Sequence, residues 1–385
     1  MSVDQLVTDR QVVICCGSGG VGKTTTAAVI ALEGARRGRK ACVVTIDPAK
    51  RLADTLGLEE LTNEAREIDR ARWAAGADDD GRLFALMLDT KSTFDLLVTR
   101  NAGDAEQAQR ILDNTFYRNV SGALGGTQEY MAMEKLYELH DEGGYDLIVV
   151  DTPPTRHALD FLDAPARLTR LLDNRIFRLL MVPTRAGMKV ASVAVQAFLK
   201  TVARVVGSEV INDIIAFFRA FEGMEEGFRE RAQAVDRLLA DPNTAFVLVT
   251  SPRRDALEEA TYFAERLSEN GQKVEALIVN RVHPSFGDES PTGLRGTAAA
   301  LRVQPSESTD RLAALYENLA DFRDVALLER DHIEGLRSKI SGGVDVEFVP
   351  YLARDVYDFA ALHEIGEVLF DAVASPADDD DPCRS

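Results

Sequence analysis

The sequence predicts a doubly wound, mainly parallel α/β sheet that carries a P-loop and an inserted helical subdomain. Three observations predict it. Short continuous apolar runs recur along the 385 residues, helical stretches separate several of them, and a glycine-rich loop joins the first run to the first long helix. Continuous rather than alternating apolar runs suit strands covered on both faces. A strand–helix–strand rhythm produces right-handed parallel crossovers.

In chain order the strand candidates are Val12–Cys16, Ala41–Ile46, Leu83–Leu88, Leu147–Val150, Ala245–Val249, Ala276–Val279 and Val344–Val349. Helices around Lys23–Arg37 and Leu257–Asn270 lie between strands. Residues 91–140 and 165–240 read as mostly helical and form the helical subdomain. Residues 1–90, 141–164 and 241–374 then make up a discontinuous P-loop domain. The second helical block is apolar at helical spacing, as in Phe177, Leu180, Met181, Val190, Val193, Phe198, Ile211, Ile214, Phe218 and Phe221. Such a stripe either packs the subdomain's own core or lines a groove for an apolar client. Residues 284–310 are rich in Pro, Gly, Ser and Thr and read as a mobile insertion. Residues 375–385 read as a short, disordered acidic tail.

Composition removes several functions. Hydrophobic residues make up 45% of the chain, enough to bury a large core rather than stay disordered. Against 44 basic residues stand 63 acidic ones, a formal charge of −19. A field of that sign repels phosphate backbones, so nucleic acid is not an expected partner. The four cysteines, Cys15, Cys16, Cys42 and Cys383, contain no CxxC pair, which argues against zinc, redox and iron–sulfur roles. The N-terminal MSVDQLVTDR lacks an apolar signal core, and no apolar stretch reaches the roughly 18 residues of a membrane span. A cytoplasmic protein without direct membrane insertion is expected.

The strongest signal is Gly17-Ser18-Gly19-Gly20-Val21-Gly22-Lys23-Thr24-Thr25, which fits GxxxxGK[ST] between a strand and a helix. Glycines let the backbone curl so that its N–H groups converge on a phosphate. The helix N-terminus adds its positive end. Lys23 is placed to reach the β- and γ-phosphates, and the Thr24 hydroxyl to ligand Mg²⁺. The loop implies a nucleoside triphosphate. Asp47 and Asp151 stand at the ends of two later strands, and parallel strands bring those ends to the ligand-binding edge. A carboxylate there can hold magnesium's water or polarise the attacking one; it can equally cap a helix.

GGVGKTT, TIDPA, VVDTPPTRHALDFLDAP, LIVNR and FVPYLARDV resemble the motifs of the ArsA-type ATPases, which include the arsenite-pump ATPase and the targeting factor for tail-anchored membrane proteins. The resemblance runs from about residue 11 to 370, strong in the nucleotide motifs and weak in the helical blocks. It implies Mg·ATP hydrolysis by a dimer. Asp47, in the first switch, would orient the attacking water, and Asp151, in the second, would hold magnesium through water. Asn280 would read the adenine, with Pro350 and Tyr351 lining the base. No NKxD stands at Asn280, so guanine specificity has no support.

The chain also departs from that pattern. Members of the family usually carry a second lysine, early in the loop, that crosses the dimer interface to the partner's phosphates; here the position holds Ser18. A serine carries no charge. Either a family paralogue that keeps the lysine completes the site, or another basic group serves a homodimer, with Arg156 and Arg253 as candidates. None of the cysteines stands where the pump ATPase binds arsenite, and the acidic C-terminus does not suit a basic membrane-docking helix. Three functions stay open: a nucleotide-driven client carrier, an ATPase coupled to a membrane protein, and a regulatory subunit of a heteromeric ATPase. For the first, Phe94, Phe116, Met131, Met133, Phe177, Met181, Met188, Phe198, Phe217, Phe218, Phe221 and Met224 are candidate groove liners, since Met and Phe adapt to varied partners.

Overall fold

A computed structural model of the chain describes residues 2–46, 51–74, 80–120, 127–152, 158–173, 208–304, 306–340, 344–352 and 354–370. The strands are β1 (Val12–Cys16), β2 (Lys40–Thr45), β3 (Arg66–Glu67), β4 (Arg82–Met87), β5 (Leu147–Asp151), β6 (Thr244–Thr250), β7 (Val274–Val282) and β8 (Asp345–Pro350). They form one eight-stranded sheet in the order β3-β4-β2-β5-β1-β6-β7-β8. Each strand expected from the apolar runs is present, and every pairing is parallel except β3 with β4. The addition is β3, two exposed residues at the sheet edge, too short and too polar to register as an apolar run. β1 sits between β5 and β6: the chain passes from β1 to β2 on one side and later crosses from β5 to β6 on the other, and such a switch point is where α/β sheets bind ligands.

Both faces are covered, which is why the strands read as unbroken apolar runs. Alternation along β1 sends Val12, Ile14 and Cys16 to one core and Val13 and Cys15 to the other. The second face is covered by α1 (Val3–Asp9), α2 (Lys23–Arg36), α3 (Arg51–Thr55) and, late in the chain, α14 (Phe359–Phe370). On the first face lie α4 (Thr90–Asn101), α5 (Ala105–Leu112), α6 (Thr115–Val120), α7 (Thr127–Asp141), α8 (Ala158–Asp173), α9 (Ser208–Phe221), α10 (Glu225–Leu239) and α11 (Arg254–Glu269).

The candidate groove liners divide. Met131, Met133, Phe221 and Met224 are buried core residues, and Phe94, Phe217 and Phe218 pack against that core. Phe217 contacts Phe116 at 5.5 Å and Phe221 at 5.7 Å between ring centroids. Ile211 and Phe221 of the stripe are therefore core, while Phe116, Phe217 and Phe218 stay partly exposed beside it. Phe177, Met181, Met188 and Phe198 lie outside the described residues, as do the expected acidic tail, Asp47 and Arg156.

The irregular insertion expected over 284–310 is corrected in its centre. Pro291–Leu301 is a helix, α12, started by Ser290, whose hydroxyl accepts from the Gly293 N–H at 3.1 Å, with Pro291 in the first turn. It buries Leu294 and Ala298 against α13 (Glu307–Arg337). The buried Arg323 of α13 donates to the carbonyls of Ser285, Gly287 and Glu289, tying down the approach to α12. The Pro, Gly and Ser content marked a helix start, not a loop.

Candidate active site

Between β1 and α2 the chain turns in a way only glycine allows at two points. Gly17 has φ +151°, and a Cβ there would stand 2.0 Å from the Val249 carbonyl oxygen. Gly22 has φ +100°, and its Cβ would stand 2.1 Å from the Asn280 side-chain nitrogen. Gly22 is also the N-cap of α2, with no side chain bonded to the first-turn N–H groups. Uncapped first-turn donors at a helix N-terminus are suited to an anion. Lys23, 5% exposed, donates from Nζ to the Ser18 carbonyl at 2.8 Å, which folds its stem over the loop.

Asp151, at the C-terminal end of β5 and 1% exposed, meets this loop. Its Oδ2 accepts from Thr24 Oγ1 at 2.7 Å and from Thr45 Oγ1, at the end of β2, at 2.8 Å. The ends of β5 and β2 and the first turn of α2 thus converge on one carboxylate, placed by the parallel pairing of β5 with β1 and β2. The next residue, Thr152, donates to the Cys15 carbonyl at 2.8 Å and holds the strand end in register. Burial first, then the negative charge of Asp151, pushes the Cys15 thiol well above its ordinary range. Cys16 rises to about 12 through burial, opposed by the positive charge of Lys23. Both remain thiols at neutral pH, unsuited to binding soft ions.

Three cavities surround the loop. One of about 290 Å³ is lined by Lys23, Thr24, Thr25, Arg51, Thr152 and Arg281. A second of about 320 Å³ brings together Thr25, Asn280, Pro350, Tyr351 and Leu352. The third, about 300 Å³, contains Ser18, Gly19, Val21, Arg253, Arg281 and His283. The residues expected around the base therefore share one cavity, adjoining the phosphate loop. Asn280 donates from Nδ2 to the Val21 carbonyl at 2.8 Å, and the Tyr351 N–H donates to the Val282 carbonyl at 2.9 Å. Arg253, a candidate for the missing charge, is engaged by Asp255 at 2.8 Å beside it.

The sequence reading missed Thr45 and Arg281. Thr45 stands two residues before Asp47, so its role was open to a reading of strand-end register. Arg281 had no such signal, because a bend in β7 decides where it points.

A family profile described as anion-transporting ATPase matches residues 10–319, and the loop, Asp151 and Asn280 all fall within that span. The chain belongs to the ArsA-type ATPase family. It is an ATP-hydrolysing enzyme. It is 24% identical over 339 residues to an "ATPase get3" of Aspergillus terreus, covering 87% of this chain and 90% of that one. It is also 26% identical over 280 residues to a protein described as arsenical pump-driving ATPase 1 of Aquifex aeolicus; that match covers 71% of this chain and 64% of the relative, under two thirds of its length. Among the described residues, no helix is long and apolar enough to cross a membrane.

Proposed function

We propose that this ArsA-type chain binds Mg·ATP at the β1–α2 loop and couples its turnover to movement of the helical layer, in the service of an apolar protein client or a membrane-protein partner. The observation that carries the reading is the meeting of Thr24 and Asp151 on one carboxylate oxygen. Fit to the ion rests on that pair: a hydroxyl and a buried carboxylate are the hard oxygen donors magnesium takes. Thr24 would hold the ion directly and Asp151 through water. When bound, magnesium neutralises phosphate charge.

The residues of the chain then divide the work. The α2 N-terminus and loop N–H groups bind phosphate, Lys23 turns from the Ser18 carbonyl to the β- and γ-oxygens, and Asp47 orients the attacking water and accepts its proton. Asn280, Pro350 and Tyr351 hold the adenine. Coupling has a covalent path. Seven residues after Asp151 the chain enters α8, which packs on α7 and α10 of the helical layer. A shift of Asp151 on nucleotide binding would be passed along the chain to α8 and so to that layer. The test is hydrogen exchange of the full chain with and without Mg·ATP: altered protection in α8–α10 is expected. Protection confined to the loop and α2 would end the coupling reading.

Ser18 supports a second reading. Two triphosphates facing each other across a dimer need their charge neutralised, and this chain offers a hydroxyl where relatives usually place the crossing lysine. We infer weak ATPase activity alone and preference for a family paralogue that retains the lysine. Ser18→Lys should then raise solitary turnover; a fully active parent homodimer, unaffected by the substitution, would rule this reading out.

A further inference from the structure

We propose that Arg281 is a phosphate-binding residue of this chain, a cation that the subunit adds to its own nucleotide site. The inference rests on the nucleotide-site reading above and adds a ligand-contacting residue to it.

Arg281 is placed by three separate features. First, the register of β7 against β8 shifts between Asn280 and Val282, so Arg281 is the extra residue of a bulge, outside the ladder. Bulges re-aim a side chain, and they concentrate beside active sites. Second, its φ is +63°, a left-handed conformation that only one other non-glycine residue among those described adopts, Phe286 at φ +50°. An L side chain held there costs free energy and persists where the surroundings over-determine it. Third, those surroundings are the phosphate loop. The Arg281 N–H donates to Asn280 Oδ1 at 2.9 Å, while Asn280 Nδ2 is bonded to the Val21 carbonyl. The Arg281 guanidinium donates to the Gly20 carbonyl at 3.1 Å.

The outcome is an exposed cation laid on the outer face of the loop. It lines the cavity of Lys23, Thr24 and Thr25, and also the cavity of Ser18 and Gly19. The Gly20 carbonyl uses only part of the guanidinium's five donors, and a forked guanidinium matches phosphate oxygens. Purely structural duty would not need an arginine. At this φ glycine would be less strained, and it would leave the Asn280 bond to the backbone N–H intact.

That contrast defines the experiment. Arg281→Gly removes the cation and relieves the backbone, so the melting temperature of the full chain should stay level or rise. Its affinity for Mg·ATP, measured by calorimetry, should fall tenfold or more. That loss should be larger at low than at high salt, as for an exposed cation screened by ions, which a packing role for Arg281 would not produce. ATP affinity equal to the parent's in Arg281→Gly, alongside a loss in Lys23→Ala, would overturn the assignment of Arg281 and leave the nucleotide site standing. So would a loss that does not change with salt at all. Failure of the parent chain to bind ATP would instead remove the site reading itself, and Arg281 with it.

Discussion

Thr24 and Asp151, 127 residues apart in the chain, are joined by a hydrogen bond of 2.7 Å from the threonine hydroxyl to the carboxylate. The bond exists because β1 and β5 are parallel neighbours, so both chains leave the sheet at one edge. On the function proposed above, a divalent ion and the phosphates it accompanies would sit beside it.

Lys23→Ala removes the cation folded over the loop. Charge-assisted contacts are worth about 1.4 kcal/mol or more, so ATP affinity should fall at least about tenfold. Calorimetric titration of the variant checks this, and an unchanged isotherm would show that the loop does not hold the triphosphate.

Asp151→Asn and Asp47→Asn should separate. The first weakens the ligand set for magnesium, so half-maximal ATPase activity should require more Mg²⁺. The second should keep ATP binding and reduce hydrolysis by about 10²-fold or more, the usual scale for a lost proton acceptor. Magnesium titrations of steady-state turnover distinguish them; parental turnover in Asp47→Asn would remove that residue from the chemistry.

Gly17→Ala should destabilise the loop. Its Cβ would lie 2.0 Å from a backbone carbonyl, at φ +151°, and a backbone atom of β6 cannot swing aside. A loss of about 2 kcal/mol is expected from clash and strain together. Urea unfolding measures it. A parental midpoint would mean that the loop adopts another path.

Burial raises the thiols of Cys16 and Cys42 from 9.0 to about 12. Because the folded value is the higher one, their contribution to stability is complete below about pH 9. It is lost as pH climbs from there towards 12, since the unfolded thiol ionises first. The native chain should therefore resist alkylation of Cys15, Cys16 and Cys42 at pH 8, seen by peptide mapping, and Cys16→Ala should flatten the alkaline fall in unfolding free energy. Rapid labelling of Cys16 in the native protein would contradict its burial.

Local patterns carried most of the fold. Continuous runs such as Val12–Cys16 and Leu147–Val150 read as buried strands because both sheet faces are covered, and the glycine loop was legible because Gly17 and Gly22 take backbone angles and close approaches that a side chain would forbid. Residues 284–310 misled for the same kind of reason. Ser290-Pro291 suits a turn and a helix start equally, and only the packing of Leu294 and Ala298 on α13 selects the helix. The edge strand β3 was invisible, since two polar residues carry no periodicity.

Strand and helix identity, the phosphate loop and the lack of a charged group at position 18 follow from the order of residues, because they depend on contacts a few positions apart. The convergence of Thr24, Thr45 and Asp151, and the turning of Arg281 onto the Gly20 carbonyl, depend on strand order, register and one bulge. Those are set by the packing of segments more than a hundred residues apart, whose free energies are settled only when the whole sheet is assembled.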